Sequence, residues 1–274
     1  MPSDSKFPGF GERGLPMARG KTTTDWRNDF NLRRLMNMAI MKSSGTVIVS
    51  YPRSGRTWVG TMLHELSIDP LFSHAGAKKS RLDSPDSVCR DIPAYAKYRV
   101  LFLLRDPRDV IVSHYHHYVR KKKWEGDLPG FMRDPIYGFE RLVAFNLGWL
   151  AAHNQFREFA VVRYEDLRQR TAIELARIVD FLRCKISGPQ ILSKVVAEQS
   201  FEQMKRREQS GELHAQYGKY FTSGSENDNQ RMVRRGVVGS YLEEMAAAER
   251  EFCDDLLARY DYHATAERLV AQAA

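Results

Sequence analysis

Cysteine is scarce. Cys89, Cys184 and Cys253 are the only three in 274 residues, and no two stand at CxxC spacing. This scattered, odd set argues against a disulfide framework and a cysteine zinc site, and it fits a reducing, cytoplasmic compartment. Long apolar runs are also missing, so no segment approaches the roughly 20 residues of a membrane-spanning helix. The opening stretch, MPSDSKFPGFGERGLPMARGK, is polar and rich in Gly and Pro, with no apolar h-region. It predicts an extended arm over residues 1–28 and no secretory leader. No internal repeat is present.

Basic residues outnumber acidic ones, 42 to 34, for a net charge of +8, and 43% of residues are hydrophobic, ample for a buried core. A positive balance admits nucleic acid, a membrane surface or a small anionic ligand as partner. No nucleic-acid motif accompanies it. One basic run, Arg120-Lys121-Lys122-Lys123 before Trp124, reads as a solvated helix end as readily as a binding patch.

The stretch TVIVSYPRSGRTWVGTMLH, residues 46–64, organises the chain. Thr46–Ser50 is a β-branched run suited to a strand covered on both faces. Pro52 cannot extend a central strand, and Gly55 permits a positive φ, so residues 51–57 form a turn. Val59, Met62, Leu63 and Leu66 then follow helical spacing. A strand that turns sharply into a helix aims backbone N–H groups and the positive helix end at one spot, which binds anions. Arg53, Ser54, Arg56 and Thr57 add side-chain donors. Two readings stand side by side: a phosphate site, or an ordinary βα turn with surface arginines. The turn lacks the leading Gly and the Gly-Lys pair of Walker A, the motif whose Ser/Thr places magnesium.

Further strands are predicted at Arg99–Leu104 and Phe159–Val162, and a short one before His74 in LFSHAGA. Helices are predicted over Asp29–Met41, after Asp106-Pro107 with Asp106 as cap, over Phe139–Phe156, over Thr171–Leu182, from Gly188 and over Leu242–Tyr260. Arg105 and Ser113 could hold one anion between a strand end and the next helix, or be incidental to a capped helix. His114, His116 and His117 do not share ligand spacing with a carboxylate and read as structural. Residues 124–137 read as a loop and lid, and Ser200–Arg235 as a long polar loop. Strands alternating with helices give an α/β fold with a mostly parallel sheet, whose C-terminal edge is where ligands bind.

Four blocks, YPRSGRTW (51–58), RDPRDVIVSHYHHY (105–118), RYEDL (163–167) and MVRRGVVGSY (232–241), stand in an order that resembles the sulfotransferases using 3′-phosphoadenosine 5′-phosphosulfate (PAPS). The resemblance implies a P-loop-like, three-layer α/β fold with a central, mostly parallel five-stranded sheet flanked by helices, formed by residues 29–274 as one domain. It implies transfer of a sulfuryl group from PAPS to a hydroxyl or amine, in line and without metal, with PAP as product. By the same resemblance, Arg53, Ser54, Gly55, Arg56 and Thr57 wrap the 5′-phosphosulfate, and Arg53 aids the leaving oxygen. Trp58, Tyr164 and Phe201 hold adenine. Arg105 and Ser113 bind the 3′-phosphate, and Arg234, Arg235 and Gly236 close over it. His74, in a segment similar to the F-[ST]-H-D-G of some members, is the candidate catalytic base. Arg53 stands where the family usually has Lys, Ala75 replaces an acidic neighbour, and Tyr241 replaces a usual Trp.

The implied acceptor is a small molecule, glycan or lipid, in a pocket expected to draw on Phe72, Trp124, Phe131, Tyr137, Phe145, Tyr217 and Tyr220. A homodimer is common in the family; no nucleic-acid partner and no transmembrane segment are expected. A P-loop-type nucleotide kinase and a non-catalytic PAP- or anion-binding protein are the alternative readings.

Overall fold

The computed structural model describes residues 45–77, 85–188, 190–217 and 236–273, with Ala39, Phe221 and Val233. The expected arm over 1–28 and, apart from Ala39, the helix expected over Asp29–Met41 lie outside the described residues.

Four strands form one parallel sheet: β1 (Thr46–Ser50), β2 (Leu71–Ser73), β3 (Arg99–Leu104) and β4 (Glu158–Arg163), in the order β2-β1-β3-β4. Val47 pairs with Leu71 on one side and Val100 on the other, and Val100 pairs with Phe159. Side chains alternate across this sheet and build two cores. Val47, Val49, Val100 and Phe102 face one core with Leu142, Phe145 and Trp149. Ile48, Leu101, Leu103 and Val162 face the other, with Val59, Met62, Leu63, Leu175 and Ile178. β1 and β3 are buried along their whole length, as a parallel sheet covered on both faces requires.

The helices are α1 (Arg56–Glu65), α2 (Pro107–Arg120), α3 (Leu128–Arg133), α4 (Phe139–Ala151), α5 (Tyr164–Gln169), α6 (Thr171–Phe181), α7 (Gln190–Glu198), α8 (Phe201–Gln209), α9 (Glu212–Tyr217), α10 (Tyr241–Glu244), α11 (Ala247–Arg259) and α12 (Tyr262–Gln272). Together with the sheet they make the expected three-layer α/β architecture.

Several expectations need correction. The sheet has four strands among the described residues, not five, because the described chain after Arg163 supplies no further strand. Much of the expected loop from Ser200 is helical, as α8 and α9. Residues 124–137 are no lid: α3 sinks Phe131 and Met132 into the core. The helix expected over Leu242–Tyr260 breaks at Met245, whose ψ of 133° is extended.

At the N-terminal edge of the sheet, Thr46, Arg99 and Glu158 are register neighbours. Buried Arg99 grips Glu158 with two N–H groups and reaches Thr46 Oγ1 at 3.3 Å. That end of the sheet is tied shut, and the opposite, C-terminal edge carries the cavity.

Candidate functional site

The turn after β1 is held in an uncommon backbone path. Gly55 has φ 99°, and Arg53 adopts φ 76° although it carries a side chain. Non-glycine residues in this region cost of order 1 kcal/mol or more and cluster at functional sites. The path is fixed by its neighbours. The Arg53 side chain donates from Nε to Ser113 Oγ at 3.0 Å, and Arg105 Nη1 donates to the Arg53 carbonyl at 3.3 Å. A Cβ on Gly55 would lie 2.7 Å from the Tyr164 ring, so only glycine lets the turn meet that ring.

The turn after β3 is tied to the same place. Asp106 caps α2 by accepting the Arg108 N–H at 2.8 Å, with Pro107 in the first turn. The Arg105 guanidinium lies over the Tyr164 ring at 4.3 Å and 3.4 Å from the Asp109 carboxylate. Glu165 accepts the Asp106 N–H at 2.8 Å, and burial pushes its carboxyl above the usual value.

A cavity of about 660 Å³ opens over these turns. Arg53, Gly55, Arg56, Thr57, Trp58, His74, Arg105, Ser113, Tyr164, Phe201 and Gly236 all line it; Ser54 is buried in the turn beneath. Arg234 and Arg235 lie outside the described residues. Trp58 and Tyr164 meet edge to face at 6.0 Å, and Trp58 Nε1 donates to the Gln199 carbonyl at 2.8 Å. Gly236 has φ 64°, and a Cβ there would lie 2.2 Å from the Phe201 ring. His74 follows β2 directly. Its Nδ1 lies 2.8 Å from the Ser50 carbonyl, which can only accept, so Nδ1 carries the proton and Nε2 is the basic nitrogen.

A sequence model of the family described as "Sulfotransferase domain" matches residues 93–265, well over half the chain. The chain belongs to the sulfotransferase family. It is 24% identical to human Sulfotransferase 2A1 over 261 residues, 82% of this chain and 87% of that one. The fold is similar to that of mouse sulfotransferase SULT7A1 complexed with PAP: TM-score 0.58, 16% identity, covering 88% of this chain and 94% of that chain. It is also similar to retinol dehydratase in complex with androsterone and the inactive cofactor PAP: TM-score 0.56, 15% identity, covering 83% and 85%.

Sequence reasoning missed three site residues of this sulfotransferase. Asp109, fully buried, accepts from Gly239 N–H at 2.9 Å, Ser240 Oγ at 3.2 Å and Tyr241 N–H at 3.1 Å, tying the second block to the fourth. Arg168 places its guanidinium 5.4 Å from the Trp58 ring and 5.7 Å from Phe201. Arg141, buried under the His74 turn, donates to the Gly76 and Ala77 carbonyls. Among the described residues, none of the acceptor aromatics expected from sequence lines the cavity. Phe131 and Phe145 are core, Tyr217 packs with Leu213 and Phe221, and Phe72 lies under Arg56; Tyr220 is outside the described residues. His114 is wedged among the Tyr51, Tyr118 and Phe131 rings, His116 pairs with Glu244, and His117 meets Arg120. The three histidines thus serve three separate partners.

The donor set fits a ligand with two anionic groups and a flat ring beside them. Arginines and a positive helix end gather at one turn, a second arginine and a serine at the next, and two rings face glycines that leave room for no side chain.

Proposed function

We propose that this sulfotransferase moves the sulfuryl group of PAPS to a hydroxyl, or an amine, of its acceptor, in line and without a metal. The observation that carries this reading is the joining of two anion-binding turns through Arg53, Ser113 and Arg105. Sequence kinship with sulfotransferases and the PAP-bound neighbours support it.

In this reading PAPS supplies an already activated sulfuryl group, and the chain positions and neutralises. Arg105 and Ser113 take the 3′-phosphate, with Gly236, Arg234 and Arg235 closing over it. Backbone N–H groups of residues 54–57, the hydroxyls of Ser54 and Thr57, and Arg56 take the 5′ end. Trp58, Phe201 and Tyr164 hold adenine, and Arg168 adds a cation over the first two rings. Arg53 offers a planar fork where charge grows on the leaving phosphate. It stabilises by hydrogen bonding, because a guanidinium does not readily give up its proton. His74 Nε2 takes the acceptor proton, the Ser50 carbonyl fixing the ring; such bases contribute roughly a hundredfold or more.

The sulfotransferase domain would comprise residues 29–274, with 1–28 as an arm; one core cluster runs from Val47 to Ala266. Among the described residues no helix is long and apolar enough to cross a membrane.

Binding of PAP and of adenosine 5′-phosphate to wild type and to Arg105→Ala tests the assignment. Loss of one charge-assisted contact should weaken PAP by about tenfold or more and adenosine 5′-phosphate far less. Unchanged discrimination between the two nucleotides would remove the 3′-phosphate site from Arg105.

A further inference from the structure

Only part of the cavity wall is used by the sites above. Ser113 and His117 on α2 and Lys121, its C-terminal cap, follow one another at four-residue steps, so one helix face runs outward from the Arg53–Ser113 bond in rises of about 6 Å. All three line the cavity, as do His114 and Tyr118 beside them. At the helix end Lys122 takes φ 53°, and the Lys122 and Lys123 N–H groups bond back to the Val119 and Tyr118 carbonyls at 2.9 Å. This left-handed C-terminal turn reverses the chain. It brings Lys123 back to the cavity beside Lys121, while Lys122 does not line it.

Among the described lining residues there is no carboxylate. The side chains of Lys121 and Lys123 are exposed and make no ion pair with a described residue. His117 is set as a donor: the Arg120 guanidinium can only donate, so Nδ1, at 2.9 Å, accepts and the ring proton sits on Nε2. Cations at a helix C-terminus complement its dipole wherever they point. That accounts for their presence but not for two lysines turned into a concave wall whose described residues hold no carboxylate and which continues from the Arg53–Ser113 bond. Such a wall focuses positive potential on whatever enters it.

We propose that the acceptor carries an anionic group, a carboxylate or a phosphate or sulfate ester, held by Lys121 and Lys123 with His117, one to two helical turns from the Arg53–Ser113 bond. This rests on the sulfotransferase reading and adds the chemical class of the acceptor.

The test uses the full chain saturated with PAP, so that the nucleotide-binding turns are filled. Phenyl phosphate and phenol are titrated by calorimetry into wild type and into a Lys121→Gln/Lys123→Gln variant. Phenyl phosphate should bind about tenfold or more tightly than phenol, and the variant should lose that advantage with its PAP Kd unchanged. Equal affinity for the two probes, no binding of phenyl phosphate, or an advantage that the variant keeps would overturn the proposal. Vesicles of phosphatidylcholine with and without phosphatidylglycerol form a further arm. Lysine-dependent capture by the anionic vesicles, with no phenyl phosphate binding, would make the lysines a membrane contact and overturn the acceptor assignment. Failure of PAP itself to bind would instead bring down the transferase reading on which the proposal stands.

Discussion

Asp109 and Gly239 are joined across the site: the carboxylate of the first turn of α2 accepts the Gly239 N–H at 2.9 Å. The same buried group serves Ser240 and Tyr241 and faces Arg105. One side chain therefore sets both the approach of the 236–241 turn and the pose of an arginine in the cavity. Asp109→Ala leaves two backbone N–H groups and a guanidinium without their acceptor, at a cost of about 3 kcal/mol. Urea unfolding should report that loss, and PAP binding should weaken with it. A change below about 1 kcal/mol would mean that the 236–241 turn is held by something else.

Arg53 combines a left-handed backbone, φ 76°, with a side chain that reaches Ser113. Arg53→Gly relieves the left-handed strain, a gain of up to about 1 kcal/mol that offsets the lost bond to Ser113. Thermal unfolding should be unchanged or slightly raised, while sulfuryl transfer falls about a hundredfold or more. Parallel losses of stability and turnover would argue that Arg53 is a structural residue.

Replacing His74 tests the proposed base apart from nucleotide binding. His74→Ala should lower kcat by roughly 10²- to 10⁴-fold and leave the PAP Kd as it is. If PAP binding falls by as much as kcat, the histidine supports the turn and does not take the proton.

Two carboxyls give opposite pH signatures. Burial raises Glu165, so the native state binds its proton more tightly than the unfolded chain does. Its contribution therefore falls as pH rises from the ordinary glutamate value through the raised native one. Glu158 is lowered by its hydrogen bonds to Arg99, so its stabilisation is lost as pH falls through its native value. Glu165→Gln should compare more favourably with wild type near pH 7 than near about pH 4 in denaturant unfolding. A pH-independent difference would contradict a buried, raised carboxyl.

The described strands and the turns that line the cavity are legible in the sequence because their signals are local. Buried β-branched runs mark β1 and β3, Asp106-Pro107 marks the start of α2, and Gly55 marks the turn. Helix α8 was not legible, because its buried positions include Met204 and Glu208 on an otherwise polar segment, and a charged residue hides the apolar period. Glu208 is buried because it accepts the Val233 N–H at 2.8 Å, a contact between distant segments. Asp109 reads as an ordinary first-turn acid until the chain brings residues 239–241 to it. Phe131 and Phe145 look like pocket aromatics for the same reason: composition tells that a ring will be buried, but not against what.

Titration of the purified protein with PAP in the presence of a chelator, and separately with ATP and magnesium, tests the central claim most directly. The account predicts tight, metal-independent binding of PAP and little response to magnesium-ATP. Preference for magnesium-ATP, or no binding of PAP, would contradict it.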